Sequence, residues 1–161
     1  MNNRARLAAL AAAAAIPLAL VPAGLANAYS NGYPDNGYEE VTGSQGCTPG
    51  YWKNHSSAWQ GYAPSQSLSS VFSATPAAYA STTLLQGLSF GGGNGVDGAS
   101  RILLRAAVAA VLNAAHDDVA YAFTSTQVIS RVNAALASGN RSTILTLATE
   151  LDVANNGGCT L

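Results

Sequence analysis

The chain has 161 residues, only 9% of them charged and 48% of hydrophobic type, with a formal net charge of −1. So thin a supply of charge leaves no basic stripe of the kind a phosphate backbone demands, which excludes nucleic acid and argues against an anionic membrane surface. The length and apolar content suit one ordinary domain with its own core.

Residues 1–28 read as an export signal. Arg4 and Arg6 make the positive start, Leu7 to Leu25 is apolar, and Ala26-Asn27-Ala28 fits the small-x-small cleavage pattern. The competing reading is a membrane anchor, since 19 apolar residues approach a bilayer-spanning length. The run is mostly alanine, however, and Pro17, Pro22 and Gly24 break its second half. Removing 28 of 161 residues leaves a mature chain of 133 that begins at Tyr29, with five basic side chains against eight acidic ones. That chain is expected to be secreted or extracellular, periplasmic where the host has an outer membrane, with no membrane attachment after cleavage.

Residues 29–46 read as a flexible leader. Ser30-Asn-Gly-Tyr33 and Asp35-Asn-Gly-Tyr38 form a short near-repeat, followed by Gly43-Ser-Gln-Gly46. Asn-Gly and Pro-Asp favour turns, and no apolar stripe asks to be buried. A single helical domain is expected over 47–161.

That domain opens on Cys47-Thr-Pro-Gly-Tyr-Trp-Lys-Asn-His55, with Trp59 and Tyr62 close behind. The stretch holds both tryptophans, the single lysine, one of two cysteines and one of two histidines. Residues 47–78 are expected to be irregular and aromatic, with a turn at Thr48-Pro49-Gly50 and a short helix from Leu68 to Phe72 ahead of Pro76. A modest apolar stripe runs from Ala80 to Leu88, and Gly91-Gly92-Gly93-Asn94-Gly95 interrupts it.

The clearest helix runs from about Ala99 to Ala115. Leu103, Ala106, Ala107, Ala110, Val111 and Ala114 share a broad inward face, while Arg101, Arg105, Ala109, Asn113 and His116 fall on the other. Its apolar arc is wide, which places it centrally. Thr124-Ser-Thr-Gln127 is a capping box. The helix it opens offers Val128, Ile129, Val132, Ala135 and Leu136, and Gly139 suits its left-handed end. Asn140 can cap a last helix striped by Ile144, Leu147, Ala148, Leu151 and Ala154, which Asn156-Gly157-Gly158 ends, delivering Cys159.

No stretch alternates with period two, so the fold class is all-α: a small helical bundle whose irregular aromatic N-terminal segment is pinned by one disulfide. Cys47 and Cys159 are the only cysteines, and export favours their pairing over two free thiols. Closing a loop of about a hundred residues stabilises a fold by roughly 4 to 5 kcal/mol in the chain-entropy model. Trp52 or Trp59 is expected to pack near that bond.

The aromatic segment has two readings. Tyr51, Trp52, Trp59 and Tyr62 form a platform that stacks on sugar rings while Lys53, Asn54 and His55 supply directed hydrogen bonds, or they fill a core short of bulky side chains. His55 with His116, Asp117 and Asp118 is the one set suited to acid–base or metal chemistry. Its spacing matches no ligand motif, and His116 near a helix C-terminus has an ordinary electrostatic reason to be there. Gly93-Asn-Gly95-Val-Asp-Gly98 matches G-x-G-x-x-G in form, but no strand precedes it, so it reads as a helix–helix loop. Asn54-His-Ser56 and Asn140-Arg-Ser142 fit the N-glycosylation pattern. No cofactor and no metal are expected.

The nine-residue run 47–55 with Ala58-Trp59, together with the ending Leu151-Asp-Val-Ala-Asn-Asn-Gly-Gly-Cys159, resembles a group of secreted bacterial proteins. These carry a C-x-P-G-[YF]-W-K-N-H run and a closing N-N-x-G-C, and the likeness spans residues 46–161. The resemblance implies an extracellular bacterial domain and carries over no catalytic or binding residue. The expected function is therefore that of a secreted, non-enzymatic domain acting by binding or assembly at or outside the cell envelope, with a polysaccharide or another envelope protein as partner. Two alternatives stand beside it: a carbohydrate-binding module built on the aromatic platform, and an extracellular hydrolase using His55 and His116-Asp117.

Overall fold

The computed structural model describes residues 43–161; the expected export signal and most of the expected leader lie outside the described residues. Six α-helices follow in order: α1 (Pro49–Asn54), α2 (Leu68–Val71), α3 (Leu84–Gly87), α4 (Gly95–Ala115), α5 (Ser125–Ala137) and α6 (Arg141–Asn155). Two single 3-10 turns, Ser56–Ala58 and Ala77–Tyr79, lie among the shorter ones. No strand occurs among the described residues, so the protein is a small all-α domain, as its periodicities predict.

α4 is the axle. It is about 31 Å long, and from Ala106 to Asn113 every residue is buried. Six of those eight positions are alanine or valine, which lets α5, α6, α1 and α3 pack closely against it. Leu103, Leu104, Val108, Val111 and Leu112 meet Val132, Ile144 and Leu151 in the core, all essentially inaccessible to water.

The helix ends follow their local chemistry. The Thr124 hydroxyl accepts from the Gln127 amide, and the Gln127 side chain accepts from the Thr124 amide, completing the expected capping box. Gly139 ends α5 at φ 59°, and the Asn140 carboxamide accepts from Thr143 N–H to start α6. That use of Asn140 occupies one of the two glycosylation-pattern asparagines. A second capping box, Thr83 with Gln86, starts α3. It confines the expected 80–88 stripe to a four-residue helix preceded by a 3-10 turn.

Three expectations need correction. Residues 47–54 are not wholly irregular: Thr48 accepts from Tyr51 N–H and Pro49 occupies the first helical position, so the turn signal opens α1. The leader ends earlier than its composition suggests, because Gly43–Gly46 is bound to the domain. Gln45 exchanges two hydrogen bonds with Ala120, and Gly46 N–H donates to Gly158 O. A Cβ on Gly46 would stand 2.2 Å from Ala154 O, so only glycine lets this strand of chain lie against the end of α6. Finally, the supposed outer face of α4 is outer only in its first half. Arg101 and Arg105 are half-buried, but Ala109 and Asn113 are fully buried and His116 is 9% exposed. Periodicity assigns faces to a helix and is blind to the irregular chain that covers one of them. Here Cys47, α1 and Gly61 lie across it.

Among the described residues, no helix is long and apolar enough to cross a membrane.

Candidate functional site

The signature run is organised round Asn113, which no sequence pattern singled out. Its Oδ1 accepts from the Cys47 amide at 2.8 Å and from the Trp52 indole at 3.0 Å. Its Nδ2 donates to the Cys47 carbonyl at 2.9 Å and to Asn155 Oδ1 at 3.0 Å. Asn155 Oδ1 also accepts from the Tyr121 hydroxyl, and Asn155 Nδ2 donates to Ala106 O within α4. Both asparagines are fully buried. Each carboxamide oxygen takes two donors and each nitrogen gives both of its protons or one, so little polar capacity is left unused in this part of the core. The disulfide between Cys47 and Cys159 closes the same region, with Cα atoms 4.4 Å apart.

This network decides the aromatic question for Trp52. Its side chain is completely buried and its N–H is committed to Asn113, so it cannot belong to a ligand platform. It is tied to the disulfide's Cys47 through their common acceptor. Burial inside an Ala-rich bundle, where a bulky ring fills volume that alanine leaves empty, is the physical reason.

The other rings stand further out. Tyr51 is half-buried, edge-on to Trp52 at 5.2 Å between centroids. His55 is exposed and lies parallel to the Tyr51 ring at 4.1 Å, its Nδ1–H donating to Tyr51 O. Trp59 is half-buried and donates its indole N–H to Trp52 O at 3.0 Å, which sets the ring's orientation. Tyr62 is half-buried against the core. Lys53 and Asn54 are exposed, and Asn54 Nδ2 donates back to Gly50 O.

The acid–base set is not assembled for metal binding. Among the described residues, no group of three His, Cys, Asp or Glu side chains could hold a metal. His116 caps α4, packs its ring 5.8 Å from that of Trp52, and accepts from Asp118 N–H on Nδ1. A nitrogen so used cannot also donate to the Asp118 carboxylate 4.0 Å away. Asp117 N–H is taken by Gln60. These contacts anchor the chain leaving α4 to the 59–62 segment.

Among the described residues, Tyr79 and Tyr121 have raised pKa values. Burial, helped by the negative charge of Glu150, pushes Tyr121 well above the ordinary phenol range. The Tyr79 hydroxyl is raised by its 2.5 Å hydrogen bond to Asp97, since the donated proton is held by a carboxylate. An open groove of about 520 Å³ between α5 and α6, lined by Ala134, Thr143, Thr146 and Leu147 with the Arg131–Glu150 pair at its edge, is a further feature the sequence did not foretell.

Sequence reasoning missed Asn113, Asn155 and Tyr121. The signal lay in the closing Asn-Asn-x-Gly-Cys pattern, whose first asparagine is Asn155. The two ends of the signature meet through Asn113.

No curated protein matches the chain significantly, and no solved structure does. Residues 47–160 match the family model of the Protodermal factor 1 C-terminal domain. That range begins at the disulfide's first cysteine and includes its second, and it takes in every helix described above. The chain belongs to the Protodermal factor 1 C-terminal domain family.

Proposed function

We propose that this is a secreted, non-enzymatic helical domain that acts by binding or assembly at or outside the cell envelope. The observation that carries this reading is the fate of the signature residues. Cys47, Trp52, Asn113 and Asn155 spend their polar groups on one another, while His116 Nδ1 and the Asp117 backbone N–H are taken by neighbouring chain. A staple of this kind suits an oxidising compartment, which agrees with the export signal and with the extracellular bacterial setting that the signature run implies. The test is fractionation of a producing cell with N-terminal sequencing of the product. A mature chain starting at Tyr29 outside the cytoplasm is expected. A hydrolytic activity of that product that disappears on His55→Ala or His116→Ala would overturn the non-enzymatic reading.

A second reading is a carbohydrate-binding module on the rings that remain accessible: Tyr51, His55, Trp59 and Tyr62, with Lys53 and Asn54 beside them. What favours it is pre-organisation. The Tyr51–His55 stack and the hydrogen-bonded Trp59 indole are already held in place, so stacking on a sugar would order few side chains. Trp59→Ala is expected to lower retention on neutral polysaccharide at least about tenfold while the domain stays folded. Unchanged retention would leave the rings with a packing role alone.

A further inference from the structure

Five cationic side chains occur among the described residues, and three of them converge on one loop. Arg141, the first residue of α6, donates from Nη1 to Gly95 O at 2.7 Å. Arg101, in the second turn of α4, lies against Gly93 so closely that a Cβ there would stand 2.5 Å from Nη2. Arg105, one turn on, has Nη1 3.5 Å from Phe90 O. Between Gly91 and Gly95 the only side chain is that of Asn94, and the whole stretch is exposed. The loop is therefore a floor of bare backbone bordered by guanidinium groups.

The local negative charge does not match them. Asp97 is the one carboxylate at the loop, and it is already engaged: Oδ1 accepts from the Tyr79 hydroxyl and Oδ2 lies 3.4 Å from Arg101 Nε. That approach is close enough for an ion pair but lacks hydrogen-bond geometry. The buried Nε–H groups of Arg101 and Arg105 have no acceptor. Asp152 lines a small cleft beside Arg105 on the α6 side without pairing with it. Neither Arg105 nor Arg141 has an ion-pair partner among the described residues. Three arginines against one committed carboxylate leave this loop with a local charge of about +2, on a described domain whose five basic and five acidic side chains balance as a whole.

We infer that the loop 91–95, with Arg101 and Arg141 at its borders and Arg105 behind them, binds carboxylate groups of an acidic polysaccharide. A guanidinium fork matches a carboxylate in a bidentate way and remains charged at every relevant pH. The exposed floor, nearly free of side chains, gives a chain of sugars room to lie across it. Groups of this kind gain most from a ligand that repeats its charge, because each further carboxylate then binds at high effective concentration. The inference rests on the reading that the domain binds outside the cell, and not on the aromatic rings of the second reading.

The experiment is calorimetric titration of the mature, oxidised chain with polygalacturonate oligomers, with the same oligomers fully methyl-esterified, and with a sulfated polysaccharide. Binding to the free acid is expected, falling as salt is raised and at least tenfold weaker to the ester. Arg141→Gln, at an exposed helix start, and Arg101→Gln are each expected to weaken it about tenfold. Arg131→Gln, in the separate Arg131–Glu150 pair, should leave it unchanged. Arg101→Lys keeps the charge without the fork, so it controls for a folding defect and should show an intermediate loss. Equal binding of acid and ester, no binding of the acid, or full affinity in both Arg→Gln variants would overturn the site; tighter binding of the sulfated polymer than of the polyuronate would overturn the carboxylate assignment. Because Trp59→Ala on neutral polysaccharide reports only on the rings, failure of either site is distinguishable from failure of the other.

Discussion

The side chain of Asn113 forms a reciprocal pair with the backbone of Cys47, accepting its N–H at 2.8 Å and donating to its carbonyl at 2.9 Å. A residue in the last turn of the central helix thus does for the start of the domain what a neighbouring strand would do in a sheet. The covalent link to Cys159 and this non-covalent link hold the same residue from two sides. The two ends of the described domain are thus joined partly through Asn113, a residue that lies in neither of them.

Asn113→Ala should be among the most damaging single changes. It strands the Cys47 amide and carbonyl and the Trp52 indole in a buried site, and each buried group left unpaired costs about 1 to 3 kcal/mol. A loss of at least about 3 kcal/mol in chemical denaturation is expected. A loss under about 1 kcal/mol would mean that the network is not what holds Cys47.

Trp52 and Trp59 should separate cleanly. Trp52→Ala is expected to cost about 3 to 5 kcal/mol through the cavity it leaves, and Trp52→Phe about 1 kcal/mol for the lost indole hydrogen bond plus a small packing term. In single-tryptophan variants, Trp52 emission should be blue-shifted and nearly inert to acrylamide, whereas Trp59 should be quenched in part. Equal quenching of both rings would contradict the burial of Trp52.

Loss of the disulfide should lower stability without changing the helical content of the folded state. The bond joins residues 112 positions apart, and freeing a loop of that size removes roughly 4 to 5 kcal/mol in the chain-entropy model. Cys159→Ser is the cleaner test, since Cys47 is fully buried. Guanidinium melts of the oxidised and Cys159→Ser proteins should differ by about that much, with coincident far-ultraviolet circular dichroism before unfolding.

Tyr121 makes a prediction about alkaline pH. Its folded pKa is raised, by burial first and by Glu150 second, while an unfolded tyrosine ionises near about 10. Its stabilising effect is therefore fully present below pH of about 10 and is lost as pH rises beyond it, because only the unfolded chain can release the proton easily. Stability should fall steeply above pH of about 10, and Tyr121→Phe should flatten that fall. It should also cost about 1 kcal/mol at neutral pH for the hydrogen bond to Asn155. Identical alkaline slopes in the two proteins would show that Tyr121 ionises without unfolding.

What the chain declares about itself is local. The Thr124–Gln127 box, the left-handed Gly139, the Asn140 cap and the stripes of α4 to α6 each depend on contacts within a turn or two, so their residues can be read off in order. The pairing of Cys47 with Cys159 is legible too, because two cysteines leave one intramolecular choice. The same locality explains two near misses. Thr48-Pro49 and Thr83-x-x-Gln86 are helix starts of the same chemistry, obscured by the turn-like and weakly striped segments they open.

Tertiary structure alone decided the rest. Asn113 lies one turn beyond Ala109 on what periodicity makes a polar face, and only the fold shows that Cys47, Trp52 and Asn155 come to that face from 66, 61 and 42 positions away. Whether Trp52 is core or surface depends on that encounter, as does the docking of Gly43–Gly46 on the end of α6. The gathering of Arg101, Arg105 and Arg141 round one glycine loop depends on α6 starting where α4 starts. Sequence periodicity reports the direction in which a side chain leaves its own helix. It cannot report what arrives from elsewhere in the chain, and in this protein the arriving segments decide which polar residues become structure and which stay available to bind.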